Sequence, residues 1–271
     1  MSGTTPSALE CSARRQRGAD GDVQEGTSTE HRSWQRSNAP RAGSTTGFAS
    51  RQASGAECVV GVDEVGRGCL AGPLLVVAAR QTGPLPDGLK DSKLMTRKER
   101  EEMFDLLAPQ QNLSGAVGNR IAEHQVFAAG LSISCQFGEG WVKASEIDKR
   151  GLARGLRLGV ARALRALQVQ IDDEIIMDGP INYLPRKFRK VTCLIDADAT
   201  VPLVSAASIY AKVKRDNFMR ELKKHYPHYG FEYHVGYSTP GHRRALQQFG
   251  ALPKIHRMSF QPLRQLNLID A

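Results

Sequence analysis

The chain has 271 residues, which bounds it to one or two domains, and 41% of them are hydrophobic, enough for a sizeable core. Lys and Arg outnumber Asp and Glu by 37 to 28, and the resulting formal charge of +9 favours polyanionic partners, nucleic acid first. Five scattered cysteines with no CxxC pair read as reduced thiols, no apolar run approaches the ~18 residues of a membrane span, and the N-terminus reads as too polar for a signal peptide. The expectation is a monomer with reduced thiols, working in the cytoplasm without membrane contact.

Residues 1–55 are rich in Ser, Thr, Gly, Ala and Arg and poor in Val, Ile and Leu. Such a segment buries too little apolar surface to offset its chain entropy, so it reads as a disordered extension ahead of one folded domain over 56–262 and a tail over 263–271. From Cys58 onward the pattern turns globular. "CVVGV" is a short buried strand, and "PLLVVAAR" (73–80) is a second, predicted to pair with it as a hairpin. "TRKEREEMFDLLA" is a helix with capping-box spacing at Thr96 and Glu99, and Met103, Leu106 and Leu107 are expected to share one face. Residues 108 to about 132 give no clear pattern.

"CQFGEGWV" is a candidate third strand of the same sheet. Ser145 to about Leu167 reads as one helix, with Leu152, Leu156, Val160, Leu164 and Leu167 as its apolar stripe. "DEIIMDG" and "VTCLI" are further strands, and "VSAASIYAKVKRDNFMRELKKHY" is a long helix. "HRRALQQFG" is a short helix stopped by Gly250. Antiparallel strands followed by alternating strand and helix indicate an α/β fold: a mixed sheet flanked by helices.

The chemistry begins at "VVGVDEVGRGCLAG" (59–72), where Asp63 and Glu64 end an apolar strand. Asp178 ends a later strand, and sites in α/β sheets gather at such strand ends. Asp216 lies on the long helix, one face with Lys212 and Ser208 at spacings of four. If that helix crosses the strand ends, four acids converge, and their repulsion calls for a cation between them. Oxygen donors without His or Cys point to Mg²⁺ or Mn²⁺. Two such ions activate a water and stabilise a leaving oxygen at phosphorus, so an all-acid site on a basic protein suggests phosphodiester hydrolysis.

The alternatives are plain ones. Asp178-Gly179 is equally a turn, and Asp216 is equally the ion-pair partner of Lys212 on a solvated helix face. Neighbouring strand residues point to opposite faces, so Asp63 and Glu64 share a site only if the strand bends near Val65–Gly66. Gly66 and Gly68 allow close backbone approach to a ligand and could touch a sugar 2′-OH, with Arg67 gripping a phosphate; an ordinary glycine turn fits the same spacing.

"GVDEVGRGCLAGPLLVVAA", "DSKLMTRKERE", "IIMDGP", "SAASIYAKVKRDNF" and "YPHYGFEYHVGYSTPGHRRAL" with "GALPKIHRMSF" stand in the same order as in the ribonuclease HII family, which the chain resembles over about 58–262. The resemblance implies a ribonuclease H-like fold with a C-terminal helical portion. It implies an endonuclease that cuts at ribonucleotides in RNA/DNA hybrids or embedded in duplex DNA, leaving 3′-OH and 5′-phosphate ends. By the same resemblance Asp63, Glu64, Asp178 and Asp216 are the metal-binding acids, and Gly66, Arg67 and Gly68 read the 2′-OH and its phosphate. Lys93 and Lys212 contact phosphates, and Tyr237 stacks on the deoxyribose after the ribonucleotide. From its neighbours alone, Tyr237 is only an aromatic in a loop. The "GRG" run favours this family over the related ribonuclease HIII. The N-terminal extension and the long 108–132 stretch depart from the family pattern.

Gln265 to Ile269, "QLNLI", resembles the short peptides that bind bacterial sliding clamps, which makes a clamp a candidate partner; the alternative is a tail packed on its own domain. Two rival functions remain open at this point: a non-catalytic nucleic-acid-binding protein with structural acids, and a related nuclease or integrase acting on DNA.

Overall fold

In the computed structural model, which describes residues 58–108 and 134–266, five strands form one mixed sheet. The strands are β1 (Val59–Val65), β2 (Leu74–Gln81), β3 (Cys135–Val142), β4 (Glu174–Asp178) and β5 (Val191–Leu194), in the order β3-β2-β1-β4-β5. β1 pairs antiparallel with β2, and β2 with β3, so the predicted hairpin and third strand are both present. β1–β4 and β4–β5 are parallel, and the crossover that links β4 to β5, residues 179–190, contains no helix. The expected extension over 1–55, most of the 108–132 stretch and Asn267–Ile269 lie outside the described residues.

Helices cover both faces of this sheet. Leu74 to Ala79 of β2 are all fully buried, which accounts for the unbroken apolar run. Leu74, Val76 and Ala78 join Val60 and Val62 against one helical layer, while Leu75, Val77 and Ala79 face the other.

The first layer is α2 (Ala144–Arg150) and α3 (Leu152–Ala166). The single helix expected from Ser145 to Leu167 is therefore two. Gly151 has φ +79°, a backbone state that other residues adopt only under strain, and the axis breaks there. Leu156, Val160, Leu164 and Leu167 form the buried stripe, with Leu152 at its partly buried end. α3 lies directly on β3: a Cβ on Gly140 would fall inside the carbonyl oxygen of Gly159.

The second layer is α1 (Arg97–Leu107) and α5 (Pro202–Glu221), the latter preceded by the short α4 (Ala197–Thr200). α1 carries the full capping box at Thr96 and Glu99. Its buried face is Met103, Phe104 and Leu107; Leu106, expected on it, is 54% exposed because the stripe centres on the other side of Met103. α5 is buried nearly all round through Leu203–Ala211, and small residues there let it press on β1. A Cβ on Gly61 would sit 2.7 Å from the Leu203 carbonyl carbon.

After α5 comes the expected C-terminal helical portion: α6 (Phe231–His234), α7 (Pro240–Phe249) and α8 (Leu263–Leu266). α7 begins at a Thr239 N-cap and ends at Gly250. Tyr229, Phe231, Val235 and Ala245 pack with Ala71 and Met219 as a separate apolar cluster. Leu263 is fully buried against Leu70 and Leu246, so the start of the tail packs on its own domain.

Three histidines lie inside this portion. His242 and His256 are fully buried with their Nε2 atoms 3.1 Å apart, and His234 stacks on His242 at a centroid separation of 4.2 Å. Burial disfavours the charged rings: it pulls His234 down, and His242 and His256 down to about 4. In the unfolded chain the same rings titrate near 6.5, so their contribution to stability is complete above that pH and is lost as pH falls towards 4. The melting temperature followed by calorimetry is expected to drop by at least ~5 °C between pH 6.5 and 4; a flat profile across that window would contradict the buried neutral cluster.

Candidate active site

The parallel pairing of β1 with β4 brings the first acids together. Val62 pairs with Met177, and one residue further along the two strands carry Asp63 and Asp178. Val62 and Met177 face the α3 layer, so the alternation turns Asp63 and Asp178 to the opposite side, where α5 crosses. Glu64 is still in register on β1, paired with Val76, and lines the same cavity from the end of the strand, just before Gly66 turns the chain at φ +87°.

The result is a cavity of about 270 Å³. Asp63, Glu64 and Asp178 line it, with Gly66, Arg67 and Gly68 from the loop, Ser92 and Lys93 from the "DSK" turn, Ser208 and Lys212 from α5, and Tyr237. Nine of the ten residues singled out from sequence therefore share one space.

Asp216 is the exception. It is 5% exposed and does not line the cavity; its carboxylate binds Lys212 Nζ at 2.9 Å, with Arg220 at 3.8 Å. The spacing of four that put it on the face of Ser208 and Lys212 also made it the natural ion-pair partner of Lys212, and that pairing is what the structure contains.

Asp198, in α4, was not singled out; like Asp216 it does not line the cavity, but its partner Lys93 does. It is 1% exposed, its Oδ2 accepts from Lys93 Nζ at 2.9 Å, and its buried Oδ1 has no hydrogen-bond partner. Asp178 accepts from the neighbouring Ala197 N–H at 2.8 Å. A related signal was available: Asp196 and Asp198 come soon after "VTCLI", close beyond the end of β5, while Asp63 and Asp178 lie in the last residues of their strands.

Electrostatics ties these acids to one another. Burial raises Asp63 well above the usual carboxylate range, and the charges of Glu64 and Asp178 raise it further; a Ser208 hydrogen bond and the Glu64 N–H, 2.7 Å away, oppose this. Glu64 is raised by burial and by Asp178, with Arg67 at 3.5 Å pulling the other way. Asp198 is raised by burial first, and Asp178 adds to it against the Lys93 hydrogen bond. Asp178 thus repels all three.

Among the described residues, no three acids, histidines or cysteines are arranged to chelate an ion as they stand. Like charges at this density turn each carboxylate towards its nearest cation or N–H: Glu64 to Arg67, Asp198 to Lys93, Asp178 to Ala197. The donors still suit a hard divalent cation. They are all oxygen, they hold more negative charge than the surroundings neutralise, and Asp198 has a buried oxygen to spare.

On the substrate side, Gly68 is unconstrained by packing: a Cβ there would meet nothing within 4 Å. The Tyr237 ring is 38% exposed to the cavity side, with Lys212 Nζ 5.4 Å and Arg215 Cζ 6.0 Å from its centroid. Its hydroxyl is buried beside Cys69, which pushes it up to about 12.

Comparison with known proteins bears on the family and the fold. The sequence profile described as Ribonuclease HII matches residues 60–263. The ribonuclease HII of Thermosynechococcus vestitus is 38% identical over 74% of this chain and 83% of its own length. That of Cupriavidus necator is 37% identical over 79% and 80%. The crystal structure of ribonuclease H2 from Pyrococcus horikoshii superposes with a TM-score of 0.57 at 28% identity, covering 78% of this chain and 98% of that one. The fold is shared with the PCNA:RNase HII complex from Archaeoglobus fulgidus (TM-score 0.54, 23% identity, 75% and 95% covered). It is shared again with Bst-RNase HIII in complex with Mn²⁺ (0.52, 18%, 86% and 76%). With strand-end acids, glycine loop and profile all in agreement, the chain belongs to the ribonuclease HII family and is a ribonuclease H, a phosphodiester hydrolase with the ribonuclease H-like fold.

Proposed function

We propose that the protein is an endonuclease that hydrolyses the phosphodiester at ribonucleotides, whether paired as RNA with DNA or embedded singly in duplex DNA, and so removes misincorporated ribonucleotides during replication and repair. The observation that carries this reading is the single cavity shared by Asp63, Glu64, Asp178, the Gly66–Gly68 loop, Lys93, Lys212 and Tyr237. A pair of divalent cations, Mg²⁺ or Mn²⁺, held by Asp63, Glu64, Asp178 and Asp198, would supply Lewis-acid activation of the attacking water and offset the charge on the departing 3′ oxygen.

The chain's own residues do the rest. Lys93, Lys212 and Arg67 surround the acids with positive charge and hold backbone phosphates. Gly68 leaves open backbone, with an N–H and a C=O, where a ribose 2′-OH has both a donor and an acceptor to meet. A DNA sugar lacks that group, so an all-DNA duplex binds through its phosphates without being set in register. The exposed face of Tyr237 stacks on the deoxyribose that follows the ribonucleotide. Asp216 serves the site indirectly, holding Lys212. Gln265–Ile269 remains our candidate contact for a sliding clamp, and we place the protein in the cytoplasm as a monomer.

The direct test is nicking of a duplex with one ribonucleotide, run with Mg²⁺, Mn²⁺ or chelator beside an all-DNA control. Cutting is expected only with cation and only beside the ribonucleotide, leaving 3′-OH and 5′-phosphate ends. Asp63→Asn is expected to lower kcat at least ~10²-fold with substrate affinity nearly intact; a near-normal rate would defeat the assignment.

Asp198→Asn is expected to raise the cation concentration needed for half-maximal activity by at least ~10-fold, while Asp216→Asn leaves it within about threefold. The reverse ranking would restore Asp216 as the fourth ligand. Tyr237→Ala is expected to reduce cutting at a single embedded ribonucleotide at least ~10-fold more than cutting of an RNA/DNA hybrid, and equal losses would remove its junction-reading role.

A further inference from the structure

Arg215 is fully buried, and all three of its nitrogens donate to main-chain carbonyls: Nε to Pro73 at 2.8 Å, Nη2 to Ala71 at 3.1 Å and Nη1 to Val235 at 2.9 Å. Ala71 and Pro73 belong to the loop that opens with Gly66–Gly68. Val235 lies two residues before Tyr237. The guanidinium also packs against Gly66, where a Cβ would collide with Arg215 Nε and Cδ, and its Cζ is 6.0 Å from the Tyr237 ring centroid. Beside it, the N–H groups of Leu70 and Ala71 donate to the carbonyl of Gly236 at 2.9 and 3.3 Å. One side chain from α5 therefore joins the two walls of the cavity.

We propose that Arg215 is a positioning residue that sets the register between the ribose-reading loop and Tyr237. The two walls come from chain segments about 170 residues apart, and under the function proposed above they must read adjacent sugars of one strand. Their spacing then has to match a single nucleotide step. A planar guanidinium with donors on three sides fixes three carbonyls in one plane, which the single ammonium of a lysine cannot do. Misplacement of about 1 Å between such elements is enough to cost ~10²-fold in rate. The acceptors are neutral carbonyls, so the arginine locates the walls without neutralising the acids beside them.

Arg257 provides an internal comparison. It is equally buried, and it holds the same loop through Gly72 O (3.1 Å from both Nε and Nη2) and Arg67 O (3.0 Å from Nη1). Its Cζ faces the Phe260 ring at 5.2 Å, and none of these bonds reaches the Tyr237 segment. It braces one wall only.

The inference rests on the reading of Tyr237 above, and the experiment separates the two. kcat is measured for Arg215→Lys, Arg257→Lys and Tyr237→Ala on a duplex with one ribonucleotide and on an RNA/DNA hybrid, and the ratio of the two rates is compared. Both rates come from one preparation, so partial unfolding cancels from the ratio. Arg215→Met, which keeps the bulk and removes the buried charge, replaces the lysine variant if that does not fold.

Arg215→Lys is expected to lower the ratio at least ~10-fold, as Tyr237→Ala does, while Arg257→Lys slows both substrates alike. An unchanged ratio in the Arg215 variant beside a lowered one in Tyr237→Ala overturns this inference and leaves the junction reading intact. An unchanged ratio in Tyr237→Ala overturns the junction reading and the inference with it.

Discussion

Asp63, buried, and Asp178, partly buried, stand next to each other on neighbouring parallel strands and are alike in charge. The cost of burying acids side by side is the constraint around which the site is built. Everything near them limits that cost without removing it: a Ser208 hydroxyl and a main-chain N–H on Asp63, the Ala197 N–H on Asp178, and basic side chains at the rim. Burial first, and neighbouring acids after it, raise the proton affinity of Asp63, Glu64 and Asp198 despite these partners. A site left with surplus negative charge in a basic protein is suited to holding cations inside and a polyanion outside.

The sheet supplies the acids, and the C-terminal portion supplies Tyr237; the cavity lies where they meet. Arg215 spans that junction through main-chain carbonyls on both sides, and Arg257 braces the glycine loop alone. Hydrogen bonds to a charged donor are stronger than neutral ones, and carbonyl acceptors are fixed by the backbone itself. The junction is thus stiff where a substrate strand would lie across it.

How legible this was differs from residue to residue. β1 and β2 stood out because their apolar runs are buried on both faces, and Thr96 with Glu99 marked the start of α1. The break at Gly151 did not stand out, since the apolar stripe continues across it and only the dihedral angle reveals it. Acids at strand ends were legible because strand ends cluster in space. Asp216 was chosen by helix spacing, which reports a shared face and says nothing of which side chain the acid pairs with. Asp198 lies close beyond a strand end, behind an unremarked turn. Tyr237 depended wholly on the family resemblance, since a loop residue has no periodicity to place it. Arg215 is one of six Lys or Arg between residues 205 and 225, and nothing in that pattern marks it off from the others, although its guanidinium is in the core.

The seam between α3 and β3 has a consequence for how such a chain can vary. Gly140 meets the Gly159 carbonyl with no room for a methyl group, and Gly138 meets the Ala163 carbonyl in the same way. Over that seam the strand and helix are in register through backbone alone. A change of one carbon there lifts a whole helix, while a charge on the solvent side of the same helix can be exchanged at little cost. Drift in this protein should therefore be slowest at glycines on the wall farthest from the chemistry, and their invariance among descendants would record how tightly two layers were pressed together.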